Sequence, residues 1–136
     1  MRANLSNGRA SLVGGTVVAV VATVGSLYFS EVLGLIPCEL CWYQRILMYP
    51  LVLVVGVGAL ENRLGVYRTA LPLSVAGTAV AAYHSYVQVA VESTTCTVGG
   101  CGSVQYRVLG LTIPNLSLVA FVLISLALLV AAFRVR

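Results

Sequence analysis

The chain has 136 residues, of which 60% are hydrophobic and only 9% charged, and eight basic residues against four acidic ones give a net charge of +4. A water-soluble domain of this size carries about a quarter charged residues, so a mean hydropathy of +0.99 excludes an ordinary soluble fold and points to the bilayer as solvent. The eight basic residues are all arginines standing in ones and twos between apolar runs, a charge that speaks of membrane topology and not of nucleic-acid binding.

In chain order, the first uncharged stretch is Ala10 to Ser30. It meets the roughly 20 residues a spanning helix needs, and a span is expected over about 11–30. Arg2 and Arg9 precede it as in a secretory signal peptide, but it is longer than a usual signal core and no small-x-small cleavage site follows. It is read as an uncleaved first helix.

Next comes "IPCELCWYQR", residues 36 to 45, and then Ile46 to Leu60. The latter is short for a span and reaches full length, about 41–60, only if the helix accepts Arg45 in its first turns. An arginine near a helix end can snorkel to the interface. Pro37 suits the first turn of this helix, where its missing N–H is no loss, whereas Pro50 lies inside and is expected to kink it.

The turn "ENRLGVYR", Glu61 to Arg68, leads to a third span over about 69–91, which carries "AYHSYVQ". His84 is placed roughly 10 Å below the outer boundary at 1.5 Å per residue, with Gln88 at i+4 on the same face. An ionisable residue inside a membrane is a functional candidate by default. A neutral histidine bonded to a neighbouring hydroxyl or carbonyl is the structural alternative. The polar segment "ESTTCTVGGCGSVQYR" follows, and a fourth span is expected over about 113–133, with Pro114 in its first turn. Trp42, Tyr43, Tyr49, Tyr83 and Tyr86 all fall near one boundary, where aromatic belts occur.

Six arginines (Arg2, Arg9, Arg63, Arg68, Arg134 and Arg136) cluster on one side of these spans, and only Arg45 and Arg107 on the other. The positive-inside rule then places both termini in the cytoplasm. The expectation is an all-α membrane protein: one domain over 1–136, a four-transmembrane-helix bundle joined at small residues such as Gly14, Gly15, Gly25, Gly56 and Gly58. The connections at about 31–41 and 92–107 are extracytoplasmic, and each holds a cysteine pair. That compartment is oxidising in most cells, so thiols there are disulfide-bonded or redox-active.

If Pro37 opens the second helix, Cys38 and Cys41 lie in its first turn on neighbouring positions of one face. Unsatisfied N–H groups and the helix dipole favour a thiolate there. Arg45, at i+4 from Cys41, can reach back over the same sulfur. The second pair, Cys96 and Cys101, encloses "TVGG", a small exposed loop whose disulfide little else protects, and accessible disulfides are the labile ones. Competing readings are a structural zinc held by four thiolates and a pair of inert staples. A thioredoxin-like motif is excluded because no βαβ pattern surrounds it.

"PCELCWYQR", a second cysteine pair before the last span, "YHSYVQ" and "IPNLSLVAF" together resemble the DsbB family of membrane disulfide oxidoreductases, including its short BdbC-like members. The resemblance covers about Ser11 to Phe133. It implies four transmembrane helices and an enzyme that reoxidises a secreted, DsbA-like thioredoxin-fold dithiol oxidase, passing electrons to a membrane quinone of ubiquinone or menaquinone type. It further implies that Cys38 and Cys41 are the quinone-proximal pair, with Cys41 the thiolate that meets the ring and Arg45 holding a quinone carbonyl. His84 and Gln88 join Arg45 as candidate quinone-binding residues. Cys96 and Cys101 would meet the partner protein, Cys96 taking the mixed disulfide. Longer members place many residues between the second pair, where this chain has four. Vitamin K epoxide reductase-like proteins couple similar thiols to a quinone, but generally with another cysteine order and often a fused thioredoxin domain.

Overall fold

The computed structural model describes residues 2–34, 39–91 and 107–135. Four long helices dominate: α1 (Arg2–Leu27), α2 (Glu39–Leu60), α3 (Tyr67–Val91) and α4 (Ile113–Val135). Sequences with almost no charge over more than 20 residues form helices because, in lipid, every backbone polar group must be satisfied within the segment. The 6–32, 39–60 and 113–135 segments are long and apolar enough to cross a membrane. α3 matches them in length at 25 residues but carries His84, Gln88 and several hydroxyls.

The helices close into a ring in which α1 packs on α2 and α4, and α3 packs on the same two. Neighbours run antiparallel. Along α1 and α2, Ser26 meets Arg45, Gly15 lies against Val55, and Gly8 lies against Leu64 just beyond α2. Phe121, Ile124 and Leu128 of α4, Leu12 of α1 and Leu51 of α2 are fully buried at the centre. Only 17%, 22% and 28% of the most apolar windows of the three candidate spans are buried inside the protein. Their outward faces are therefore apolar surface that needs lipid around it.

Small residues set the spacing, though not at all the expected positions. A Cβ added at Gly15 would sit 3.4 Å from the Ala127 methyl, and at Gly56 it would sit 3.5 Å from that of Thr16. At Gly58 it would press on the Val66 side chain of the following turn. Gly14 and Gly25 face open space instead. The tightest approach is at Gly77, where a Cβ would overlap the Phe121 ring. Beside it, Ser74 Oγ donates to the Phe121 carbonyl at 3.2 Å and lies 2.5 Å from Ser125 Oγ, tying α3 to α4 with polar contacts of the kind that fasten helices in membranes.

Three local devices shape the ends. α1 passes directly into a π-helical turn, Tyr28–Val32, closed by Leu33 N–H to the Tyr28 carbonyl at 3.2 Å. α2 is stopped by Asn62, at φ 55, with Arg63 N–H returning to the Gly58 carbonyl at 2.9 Å. That is a Schellman closure with asparagine in the left-handed position. A 3-10 turn, Leu64–Val66, then leads into α3. Ahead of α4, where the chain reads as an apolar run, two short strands form a hairpin. β1 (Arg107–Val108) pairs antiparallel with β2 (Leu111–Thr112), Arg107 opposite Thr112. Leu109 and Gly110 both have positive φ, 53° and 82°, the pattern of a two-residue type I′ turn. Pro50 and also Pro72 lie inside helices α2 and α3.

Candidate active site

Cys41 stands in the first turn of α2 and is half-buried. Cys38, Cys96 and Cys101 lie outside the described residues, as do positions 35–38 and 92–106 of the two expected redox loops. The site is therefore built from what surrounds Cys41 at this end of the bundle.

The next turn of α2 sends two polar side chains in different directions. Arg45 turns to α1: its Nε donates to Ser26 Oγ at 2.9 Å, and one terminal nitrogen donates to the Ser26 carbonyl at 3.0 Å and to Ser30 Oγ. Its guanidinium also lies 5.5 Å from the centroid of the Trp42 ring, within cation–π range. These bonds clasp the first helix to the second. Ser26 and Ser30, one turn apart, offer two hydroxyls and a carbonyl to a charge that has few other acceptors at membrane depth.

Gln44 turns inward. Its Nε2 lies 3.0 Å from His84 Nδ1 of α3, and its Oε1 accepts from Ser117 Oγ of α4 at 2.7 Å. Gln44 and His84 are 5% and 2% exposed, so this is a buried polar link across three helices. Gln88, one turn beyond His84, is also buried. His84 and Gln88 are thus both buried, one turn apart on α3, at the end of the bundle that holds Cys41. Gln44 and Ser117 went unnoticed in the sequence. The available signal was a glutamine beside Arg45 in a helix otherwise almost wholly apolar.

The aromatic residues divide as a belt would. Trp42, Tyr43, Tyr83 and Tyr86 are exposed on the outer face, and Tyr43 hydroxyl donates to Glu39 at 3.0 Å. Three buried hydroxyls at this end, on Thr23, Ser85 and Thr112, have no hydrogen-bond partner among the described residues. Buried polar groups are normally satisfied, and each of these hydroxyls can donate to an oxygen acceptor. Among the described residues no group of three His, Cys, Asp or Glu side chains could hold a metal. At the opposite end, a cleft of about 790 Å³ is lined by Arg63, Arg68, Tyr67 and apolar residues of α2, well away from Cys41.

Cys41, Arg45 and the buried Gln44–His84 link thus stand at one end of the bundle, and comparison with known proteins gives the family. The model of the family "Disulfide bond formation protein DsbB" matches residues 8–131. The chain belongs to the DsbB family. Among relatives, "Disulfide bond formation protein C" of Bacillus subtilis is 46% identical over 114 residues, covering 79% of this chain and 82% of that one. A "Probable disulfide formation protein" of Oceanobacillus iheyensis is 44% identical, covering 78% and 77% of the two chains. One of the same description from Deinococcus radiodurans is 41% identical, covering 82% and 81%. No solved structure matches the chain. This DsbB-family protein is thus a short, BdbC-like, multi-pass membrane protein of disulfide bond formation.

Proposed function

We propose that this chain is a quinone-dependent thiol:disulfide oxidoreductase of the cell membrane, with four spans, cytoplasmic termini and both cysteine loops outside, that reoxidises a secreted DsbA-like thioredoxin-fold protein. The observation that carries the reading is the coincidence at one end of the bundle. Cys41, the Arg45 clasp and the buried Gln44–His84 link all lie within the first turns of α2 and their contacts.

The partner's dithiol reduces the Cys96–Cys101 disulfide and leaves as a disulfide. The two thiols so formed reduce Cys38–Cys41 in turn, two electrons and two protons moving at each exchange. A bound quinone supplies the acceptor for that pair of electrons and protons. Cys41 provides the thiolate, favoured by the helix N-terminus. Arg45, held by Ser26 and Ser30, provides positive charge at the membrane boundary, and His84 and Gln88 line the buried side. Thiols stand at this boundary because one reactant is in water and the other in lipid.

The test follows quinone absorbance with two donors. In a Cys96→Ser/Cys101→Ser variant, oxidation of the protein partner is lost, while a small dithiol that reaches Cys38–Cys41 directly still reduces quinone, since exchange depends on access. The Cys38→Ser/Cys41→Ser variant does neither. Quinone reduction by this second variant would overturn the order of transfer. Stoichiometric zinc in the purified protein, with thiols unchanged by reductant, would replace the redox reading with a metal site.

A further inference from the structure

We propose that Gln44 is a positioning residue that sets the tautomer of His84, holding the ring proton on Nε2. The effect on turnover rests on the quinone reading above; the tautomer itself does not.

A glutamine amide has one acceptor oxygen and one NH₂ donor. Ser117 Oγ occupies the oxygen at 2.7 Å, which turns the NH₂ toward His84 Nδ1 at 3.0 Å. Nδ1 then accepts through its lone pair. In a neutral imidazole the remaining proton sits on Nε2. A proton on Nδ1 would set two donors face to face between side chains that are 5% and 2% exposed. Each of the three side chains comes from a different helix, α2, α3 and α4, so the packing of the bundle fixes the chain of donors. With Ser117 donating and Gln44 passing the polarity on, the network has a direction: hydroxyl to amide, amide to ring Nδ1.

The chain contains a single histidine, so ¹⁵N-histidine labelling of the full-length protein in nanodiscs reports this ring alone. In quinone-free protein Nδ1 is expected to resonate as a pyridine-type nitrogen and Nε2 as a pyrrole-type nitrogen. Gln44→Glu reverses the polarity, because a carboxylate accepts from Nδ1–H, and should move the proton to Nδ1. Ser117→Ala, a smaller change that spares the fold if Gln44→Glu does not, frees the amide to turn over and should mix the two tautomers. Quinone turnover at saturating quinone should fall about tenfold in Gln44→Glu, a loss of about 1.4 kcal/mol of transition-state stabilisation. A pyrrole-type Nδ1 in the unaltered protein would mean that the amide stands the other way round, and would overturn the proposal. So would unchanged ring signals in both variants. Failure of the unaltered protein to reduce quinone, with the ring signals as expected, would refute the quinone reading and leave the tautomer assignment standing.

Discussion

Arg45 shows how much a single residue's neighbours decide. Its spacing behind Cys41 is visible in the sequence, but its hydrogen bonds run to Ser26 and Ser30, 19 and 15 residues earlier. These bonds fasten α1 to α2, and the proposed function gives the same guanidinium a second role at the quinone site. Arg45→Ala should remove both, raising the apparent KM for quinone about tenfold for the loss of one charge-assisted hydrogen bond and lowering the melting temperature in detergent. Lysine should rescue only in part, because it lacks the planar fork that reaches two hydroxyls and a carbonyl at once. The double variant Ser26→Ala/Ser30→Ala separates the roles: it should lower the melting temperature with the charge still present. Unchanged quinone kinetics in Arg45→Ala would remove the guanidinium from the site. His84 and Gln88 were legible as intramembrane polar residues on one face. Gln44 was not, since its neighbour's charge drew the reading and its partners lie 40 and 73 residues away.

At the scale of elements, the α3–α4 contact is the most exacting in the bundle. Gly77 admits the Phe121 ring, and Ser74 ties the two helices beside it. Gly77→Ala should therefore destabilise the protein by about 1–3 kcal/mol, the usual cost of overpacking a well-filled core. Gly14→Ala, into open space, should be neutral or slightly stabilising, as alanine favours a helix over glycine. Thermal unfolding in one detergent checks both, and partial rescue of Gly77→Ala by Phe121→Leu would identify the ring as the cause. Equal melting temperatures for the two glycine variants would contradict the packing. Hydropathy located all four helices, because length and the absence of charge suffice for that. The β1–β2 hairpin was missed because Val108, Leu109 and Leu111 read as the start of an apolar span; only the positive φ at Leu109 and Gly110 marks the turn.

At the scale of the whole molecule, the proposed orientation rests on the arginines and the positive-inside rule. With six arginines on one side, a membrane-impermeant thiol reagent added to intact cells after reduction should label all four cysteines. Labelling confined to inside-out vesicles would reverse the topology and remove the contact with a secreted partner. The sequence by itself determined the membrane solvent, the helical class, the cysteine pairs and the family, because composition, run length and short motifs are local properties of the chain. Tertiary structure alone decided where the polar side chains inside the bundle point. Arg45 on α1, Gln44 between His84 and Ser117, and Gly77 against Phe121 are pairings between helices far apart in the chain. The physical reason is that helical periodicity places a residue on a face, while the partner across that face is set only when the four helices pack.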